Sequence, residues 1–231
     1  MNSLDSIGYD TLSFDCYGTL IDWESGILEA LGPLLALNRS DVGRSDQLEA
    51  FAHHETRLQQ ASPAAAYPMI LREVHQAVAA SFGFKTTAEL DAAFGDSVGD
   101  WPPFLDSSDA LHRLATRYRL VILSNVDLQS FAGSQRRLGV MFDAVYTAEV
   151  IGSYKPDPAN FDYLLRHEAG RLLHVAQSLY HDHGPAKVAG MDTVWIDRRG
   201  GPGGGATPDA PGASYDARFE SMAEFADAAG V

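Results

Sequence analysis

Five side chains able to do chemistry stand at or just beyond short apolar runs. Asp15 follows TLSF, residues 11–14. Ser124 ends VILS, residues 121–124, and Asn125 comes next. Lys155 lies in SYKPDP, beyond AVY at 144–146. Asp182 lies a few residues beyond HVAQ at 174–177. Brought together, they form a pocket with a carboxylate, two hydrogen-bonding side chains, an ammonium and a second carboxylate. An ammonium within a few ångströms of a carboxylate keeps it ionised. Ionised carboxylates can act as covalent nucleophiles.

For these residues to meet, the apolar runs must be parallel strands, because open α/β sheets bind ligands at the carboxyl ends of their strands. TLSF, VILS, AVY, HVAQ and TVWI (193–196) are short, bounded by polar residues, and alternate with helical patterns. That alternation predicts a Rossmann-like parallel sheet in an α/β fold. Residues 109–118 carry Ala110, Leu111, Leu114 and Ala115 at helical spacing. Residues 128–138 follow Asp127, a predicted N-cap. Residues 158–167 open on Pro158, suited to the first turn of a helix.

Residues 22–100 have a different pattern. Ile27, Leu28, Leu31, Leu34 and Leu35 mark one amphipathic helix. Residues 48–60 form a second, and 67–82 a third with Ile70, Leu71, Val74, Ala77 and Val78 on one face. Thr86-Thr87-Ala88-Glu89 has capping-box spacing and opens a fourth. The stiff stretch Trp101-Pro102-Pro103 closes the segment. The expected organisation is a core of residues 1–20 and 101–231, with a helical cap of residues 21–100 inserted after the first strand. The low-complexity run at 200–213, GGPGGGATPDAPGA, reads as a surface loop, since it lacks the Lys-Ser/Thr that ends a phosphate-binding loop.

The chain of 231 residues carries 31 acidic and 17 basic side chains, a net charge of −14. Such a balance disfavours nucleic acid and anionic lipid. It gives an anionic substrate no bulk attraction either, so local donors would have to hold one. Arg136-Arg137 and Arg198-Arg199 are the basic clusters, and both read as solvated surface. No apolar run approaches the roughly 18 residues of a membrane span. The opening MNSLDSIGYD has no basic region followed by an apolar stretch. Cys16 is the single cysteine, which excludes an intrachain disulfide and suits a reducing cytosol. The expectation is a cytoplasmic protein acting on a small molecule, with no nucleic-acid or membrane partner.

Four ordered motifs, FDCYGTL, ILSN, YKPDP and SLYHDHGPAKVAGM, resemble the haloacid dehalogenase superfamily of hydrolases over nearly the whole chain. The resemblance implies roles. Asp15 is the nucleophile and forms an aspartyl intermediate. Lys155 keeps it ionised. Ser124 and Asn125 orient it and bind substrate or leaving group. Thr19 supports the turn after it, and Asp182 positions Lys155 or the hydrolytic water. The helical insert is a cap that excludes water. Cap helices in this family can also pair subunits, so a homodimer is compatible with it.

Tyr17 then becomes informative. Phosphatases of the family carry a second Asp two residues after the nucleophile, which protonates the leaving alkoxide and helps bind Mg²⁺. Tyrosine, with a reference pKa near 10, is no substitute. Those enzymes also have Gly-Asp where this chain has Ala176-Gln177. An amide is a poor partner for a hard dication. The resemblance therefore points to the 2-haloacid dehalogenase branch, with its D-x-Y-G-T motif, no metal and no cofactor. In that chemistry Asp15 displaces halide from C2 of a 2-haloalkanoate, and water hydrolyses the ester to a 2-hydroxy acid.

The expected substrate contacts are Tyr17, Cys16, Asn125, Ser178 and Trp23. Cys16 also reads as a buried filler beside the nucleophile. Trp23 is placed either to wall the pocket or to pack at the cap hinge. Three departures from the branch concern the pocket. Phe51 stands near the place of its substrate-gripping Arg, with Arg57, His53 and His54 as nearby cations. Phe161 replaces a Tyr six residues after the Lys. Gln177-Ser178-Leu179 replaces Ser-Ser-Asn. His181-Asp182-His183 invites a metal reading, but neighbouring side chains on a turn diverge. His53-His54-Glu55 reads mainly as a solvated helix face, with a pocket role for one of the three as the alternative.

Overall fold

The computed structural model describes residues 8–62, 65–200, 210 and 212–231. Six parallel strands form one sheet. They are β1 Thr11–Phe14, β2 Arg119–Ser124, β3 Ala144–Thr147, β4 Leu172–Ala176, β5 Asp192–Ile196 and β6 Ala217–Phe219. The spatial order is β3-β2-β1-β4-β5-β6. β1 is central, with Phe14 in register with Ile122 of β2 and Val175 of β4. All of its side chains are buried, as an apolar run between two neighbouring strands requires. The parallel α/β fold is as the sequence indicates.

Among the described residues, four helices lie between β1 and the Trp101-Pro102-Pro103 stretch: α1 Trp23–Asn38, α2 Arg44–Ala61, α3 Tyr67–Ser81 and α4 Ala88–Gly95. A 3₁₀ turn, Ser97–Asp100, follows. Asp22 caps α1 by accepting from the Ser25 backbone N–H at 3.2 Å. α4 is capped by Thr87, which accepts from Leu90 N. Thr86 instead donates to Asp91 at 2.6 Å. The chain leaves and rejoins the sheet through paired segments. Asp22 N donates to Pro102 O at 2.8 Å, and Phe104 N donates to Leu20 O at 3.0 Å. One apolar cluster runs unbroken from the sheet through Trp23, Phe51, Leu71 and Trp101 of the helical segment.

The other helices are α5 Ser107–Leu114, α6 Leu128–Leu138, α7 Ala148–Ile151, α8 Ala159–His167, α9 Gly184–Val188 and α10 Met222–Ala228. Asp127 caps α6 as its sequence predicts, accepting from Ser130 N at 2.9 Å. Pro158 sits at the cap position of α8 rather than inside it. β4 begins at Leu172, two residues before the predicted run, and excludes Gln177. Gly133 of α6 packs against Gly99 so closely that a Cβ there would meet the Gly99 Cα at 2.3 Å. Most of the run at 200–213 lies outside the described residues.

Arg198 is a correction. It is not solvated surface: it forms two hydrogen bonds to Asp106, at 2.8 and 2.9 Å, and donates to Thr19 O. Burial lowers its pKa against the pull of Asp106. Among the described residues, no helix is long and apolar enough to cross a membrane.

Candidate active site

The carboxyl ends of β1, β2 and β4 converge, and β1 is the strand from which neighbours run in both sequence directions. That is the switch point at which α/β sheets open a crevice. Asp15 stands there, one residue beyond β1, with its N–H still bonded to Val175 O at 3.1 Å. Its Oδ1 accepts from Lys155 Nζ at 2.9 Å, and its Oδ2 accepts from Thr19 Oγ1 at 2.8 Å. Thr19 Oγ1 also accepts from Gln177 N at 2.9 Å, which ties the turn after β1 to the end of β4.

Lys155 is 2% exposed, although it comes from a loop. Its three N–H groups go to Asp15, to Asp182 Oδ1 at 2.7 Å and to Leu123 O at 2.9 Å. Burial works against its charge, but the two carboxylates overcome this and raise its pKa. Burial would raise the Asp182 carboxyl. Lys155 and a hydrogen bond from His174 Nε2 at 2.9 Å nevertheless hold it well below the usual range. Burial dominates at Asp15 and pushes its carboxyl upward, with Lys155 and Thr19 opposing. Asp182 is therefore a durable anion, while the Asp15 carboxylate is the more exposed and the less stabilised of the two.

The side chain of Asn125 accepts from Lys155 N at 2.6 Å and donates to Lys155 O at 3.0 Å. It holds the lysine loop in place and keeps one N–H and one lone pair for other partners at the cavity wall. Ser124 Oγ and Asp182 Oδ2 are buried without a hydrogen-bond partner.

Asp15, Ser124, Asn125, Lys155 and Asp182 line a cavity of about 60 Å³ together with Tyr17, Trp23, Gln177, Ser178 and His181. Trp23 both walls the cavity and packs edge-on to Phe51, with ring centroids 5.9 Å apart. Tyr17 lines it too, but its hydroxyl is engaged with Ser134 Oγ at 2.9 Å and its ring meets Trp101 edge-on. Ser178 accepts from His181 N at 3.0 Å. A second cavity of about 310 Å³ shares Gln59, Lys155 and His181 with the first.

Cys16 does not line the cavity. It is wholly buried in the apolar cluster, and burial pushes its thiol up, so the expected substrate contact is replaced by the filler role. Arg57 and His53 are exposed, and His54 pairs with Ser81 Oγ. None of the three lines the cavity. The insert contributes Glu55, Gln59 and Tyr67 instead. Phe51, Glu55 and Gln59 lie four residues apart along α2, and that spacing from Phe51 was the available signal for an inward-facing Glu55. His174 was also missed; a histidine inside a buried strand needs a partner, and Asp182 supplies it. Phe161 is buried and packs edge-on to His174.

The donor set does not fit a divalent cation. Both Asp15 oxygens are engaged, and the Lys155 ammonium bridges Asp15 and Asp182. Tyr17 and Gln177 stand where further carboxylates would be needed. His181 and His183 diverge: one lines the cavity, while the other bonds Ala176 O at 3.0 Å. Among the described residues, no group of three His, Cys, Asp or Glu is placed to hold a metal.

The chain matches the family model of haloacid dehalogenase-like hydrolases over residues 9–176. It belongs to that family. No curated protein matches the chain. Among solved structures, this haloacid dehalogenase-like hydrolase is similar to the defluorinating L-2-haloacid dehalogenase Rha0230, with a TM-score of 0.78 and 20% identity over 99% of this chain and 98% of that one. It is similar to L-2-haloacid dehalogenase from Xanthobacter autotrophicus, with a TM-score of 0.78 and 18% identity over 95% and 98%. It is also similar to the HAD-hydrolase YfnB from Bacillus subtilis bound to magnesium, with a TM-score of 0.78 and 17% identity over 96% and 99%. At these identities the likeness is one of fold.

Proposed function

We propose that this hydrolase displaces halide from C2 of a small 2-halogenated compound through a covalent ester on Asp15, without a metal. The observation that carries the reading is the Asp15 setting: a buried carboxylate at the end of the central strand, held between Lys155 and Thr19, with Tyr17 and Gln177 in place of metal-binding acids. A halide leaves without protonation, so the absence of an acid at position 17 costs this chemistry nothing.

In the first step an Asp15 oxygen bonds to C2 from the side opposite the halogen. The C–halogen bond breaks, and its electron pair leaves with the halide. In the second step water attacks Cγ of the ester and the Cγ–O bond breaks. A 2-hydroxy product leaves with inverted C2; one water proton goes to its oxygen and the other to solvent. Asp182 is held too acidic to be a strong base, so its role is to fix Lys155 and orient the water through Oδ2. The helical segment, residues 21–100, serves as the cap over the core of residues 1–20 and 101–231. It supplies Trp23, Glu55, Gln59 and Tyr67 to the cavity wall.

The test is halide release from both enantiomers of 2-chloro- and 2-bromopropanoate and of the matching propanamides, with and without EDTA. Release that survives EDTA and is lost in Asp15→Asn supports the reading. Silence across this panel, with Mg²⁺-dependent phosphate release from an aryl phosphate, overturns it.

A further inference from the structure

Among the described residues, the cavity wall has no free cation. Its charged groups are Asp15, Asp182, Glu55 and Lys155. The three N–H groups of Lys155 are all committed to protein oxygens. Burial pushes His181 down to about 4, so its imidazole is neutral at neutral pH. In that wall Glu55 is 8% exposed. Its Oε1 accepts from Tyr67 OH at 2.6 Å and from Gln59 Nε2 at 3.1 Å. No described residue donates to its Oε2.

A carboxylate ligand placed here would face three acidic groups and one ammonium with no N–H left to give, so that only neutral donors such as Ser124 Oγ and the second N–H of Asn125 could hold it. An unpaired charge in a buried site is strongly disfavoured. A ligand that donates hydrogen bonds meets the opposite situation, since the ionised Glu55 Oε2 is an acceptor to which no described residue donates.

We propose that the substrate carries, at the end away from Asp15, a nitrogen group that donates hydrogen bonds, a carboxamide or an ammonium, and that Glu55 Oε2 receives it. Glu55 is then the specificity-determining residue. This rests on the Asp15 reading for the reacting end only. Burial also pushes Glu55 up to about 7, against its hydrogen bond from Tyr67. An ammonium ligand would draw that value down, and a carboxylate ligand would drive it higher.

Three ligands on one carbon skeleton separate the cases: lactate, lactamide and 1-amino-2-propanol. Each is titrated calorimetrically into the wild-type protein, Glu55→Gln and Glu55→Asp, at a pH above the Glu55 transition. The expected result is that the amide, the amine or both bind the wild type at least about tenfold more tightly than lactate, a difference of about 1.4 kcal/mol. Which of the two binds identifies the nitrogen group. That preference shrinks in Glu55→Gln, most for the amine, and is partly kept in Glu55→Asp. Lactate binding as tightly as the others, a preference unchanged in Glu55→Gln, or no binding by any of the three overturns the proposal. Halide release from 2-chloropropanamide and 2-chloropropanoate by the same preparations reports separately on Asp15. If neither releases halide, the dehalogenase reading loses its support from these compounds, and the binding preference alone decides this one.

Discussion

Asn125 clasps the main chain of Lys155 from both sides, accepting its N–H at 2.6 Å and donating to its C=O at 3.0 Å. The ammonium that serves Asp15 is therefore aimed by an amide on another loop. Asn125→Ala leaves two backbone groups without their partner, a loss of about 1–3 kcal/mol of stability. Displacement of Lys155 should lower kcat by about ten- to a hundredfold, because a shift of an ångström in a positioned group has that effect. Thermal unfolding and halide-release kinetics measure the two. An unchanged kcat would show that the clasp does not govern the ammonium.

Lys155→Met leaves Asp15 and Asp182 facing each other without their cation. Removing one partner of a buried ion pair costs about 3–5 kcal/mol. The double variant Lys155→Met/Asp15→Asn removes one of the opposed charges and should recover part of that loss. Denaturant unfolding of the two variants makes the comparison.

The pH dependence of stability separates Glu55 from the buried histidines. Glu55 has a folded pKa of about 7, above its ordinary 4.5. Its contribution is complete below about 4.5 and fades as pH rises through 7. His181 and His183 have folded values of about 4, below the ordinary 6.5. Their contribution is complete above 6.5 and fades as pH falls toward 4. Glu55→Gln should therefore gain on the wild type between pH 4.5 and 7, by up to about 3 kcal/mol, and gain nothing further above that. Melting temperatures across that range give the difference directly.

Gly133→Ala should destabilise the fold by about 1–3 kcal/mol, as overpacking does. The new Cβ would fall 2.3 Å from the Gly99 Cα, and backbone cannot rotate away as a side chain can. Because Gly99 belongs to the helical segment and Gly133 to the core, the variant should also change kcat/KM by shifting Glu55 and Tyr67 relative to Asp15. Ser134→Ala, the next residue, removes only the Tyr17 hydroxyl's partner and serves as the comparison.

The sheet and its site were legible because short buried strands announce themselves as apolar runs and the site residues follow those runs closely. Asp15, Ser124, Asn125, Lys155 and Asp182 needed only parallel strands to converge. β6 escaped notice because its three residues, Ala217–Phe219, carry too little pattern to be separated from the adjoining loop. Glu55 was legible only as one of three candidates for a pocket role, because a charged residue beside two histidines looks like solvated helix, and only the stripe from Phe51 to Gln59 turns it inward. Arg198 escaped for a related reason. Its partner Asp106 is 92 residues away in sequence, and long-range ion pairs leave no local trace.

Lys155 has no polar atom at liberty: main chain and side chain together are fully engaged. Such a lysine cannot swing after a departing halide or follow a proton, and it acts as a stationary field. Two carboxylates surround that field before reaction. An ester on Asp15 cancels one of them and leaves ammonium and Asp182 as a balanced couple. On the proposed mechanism the covalent intermediate would then be the electrostatically relaxed stage of the cycle, and regeneration of the free carboxylate would be the half that works against the field.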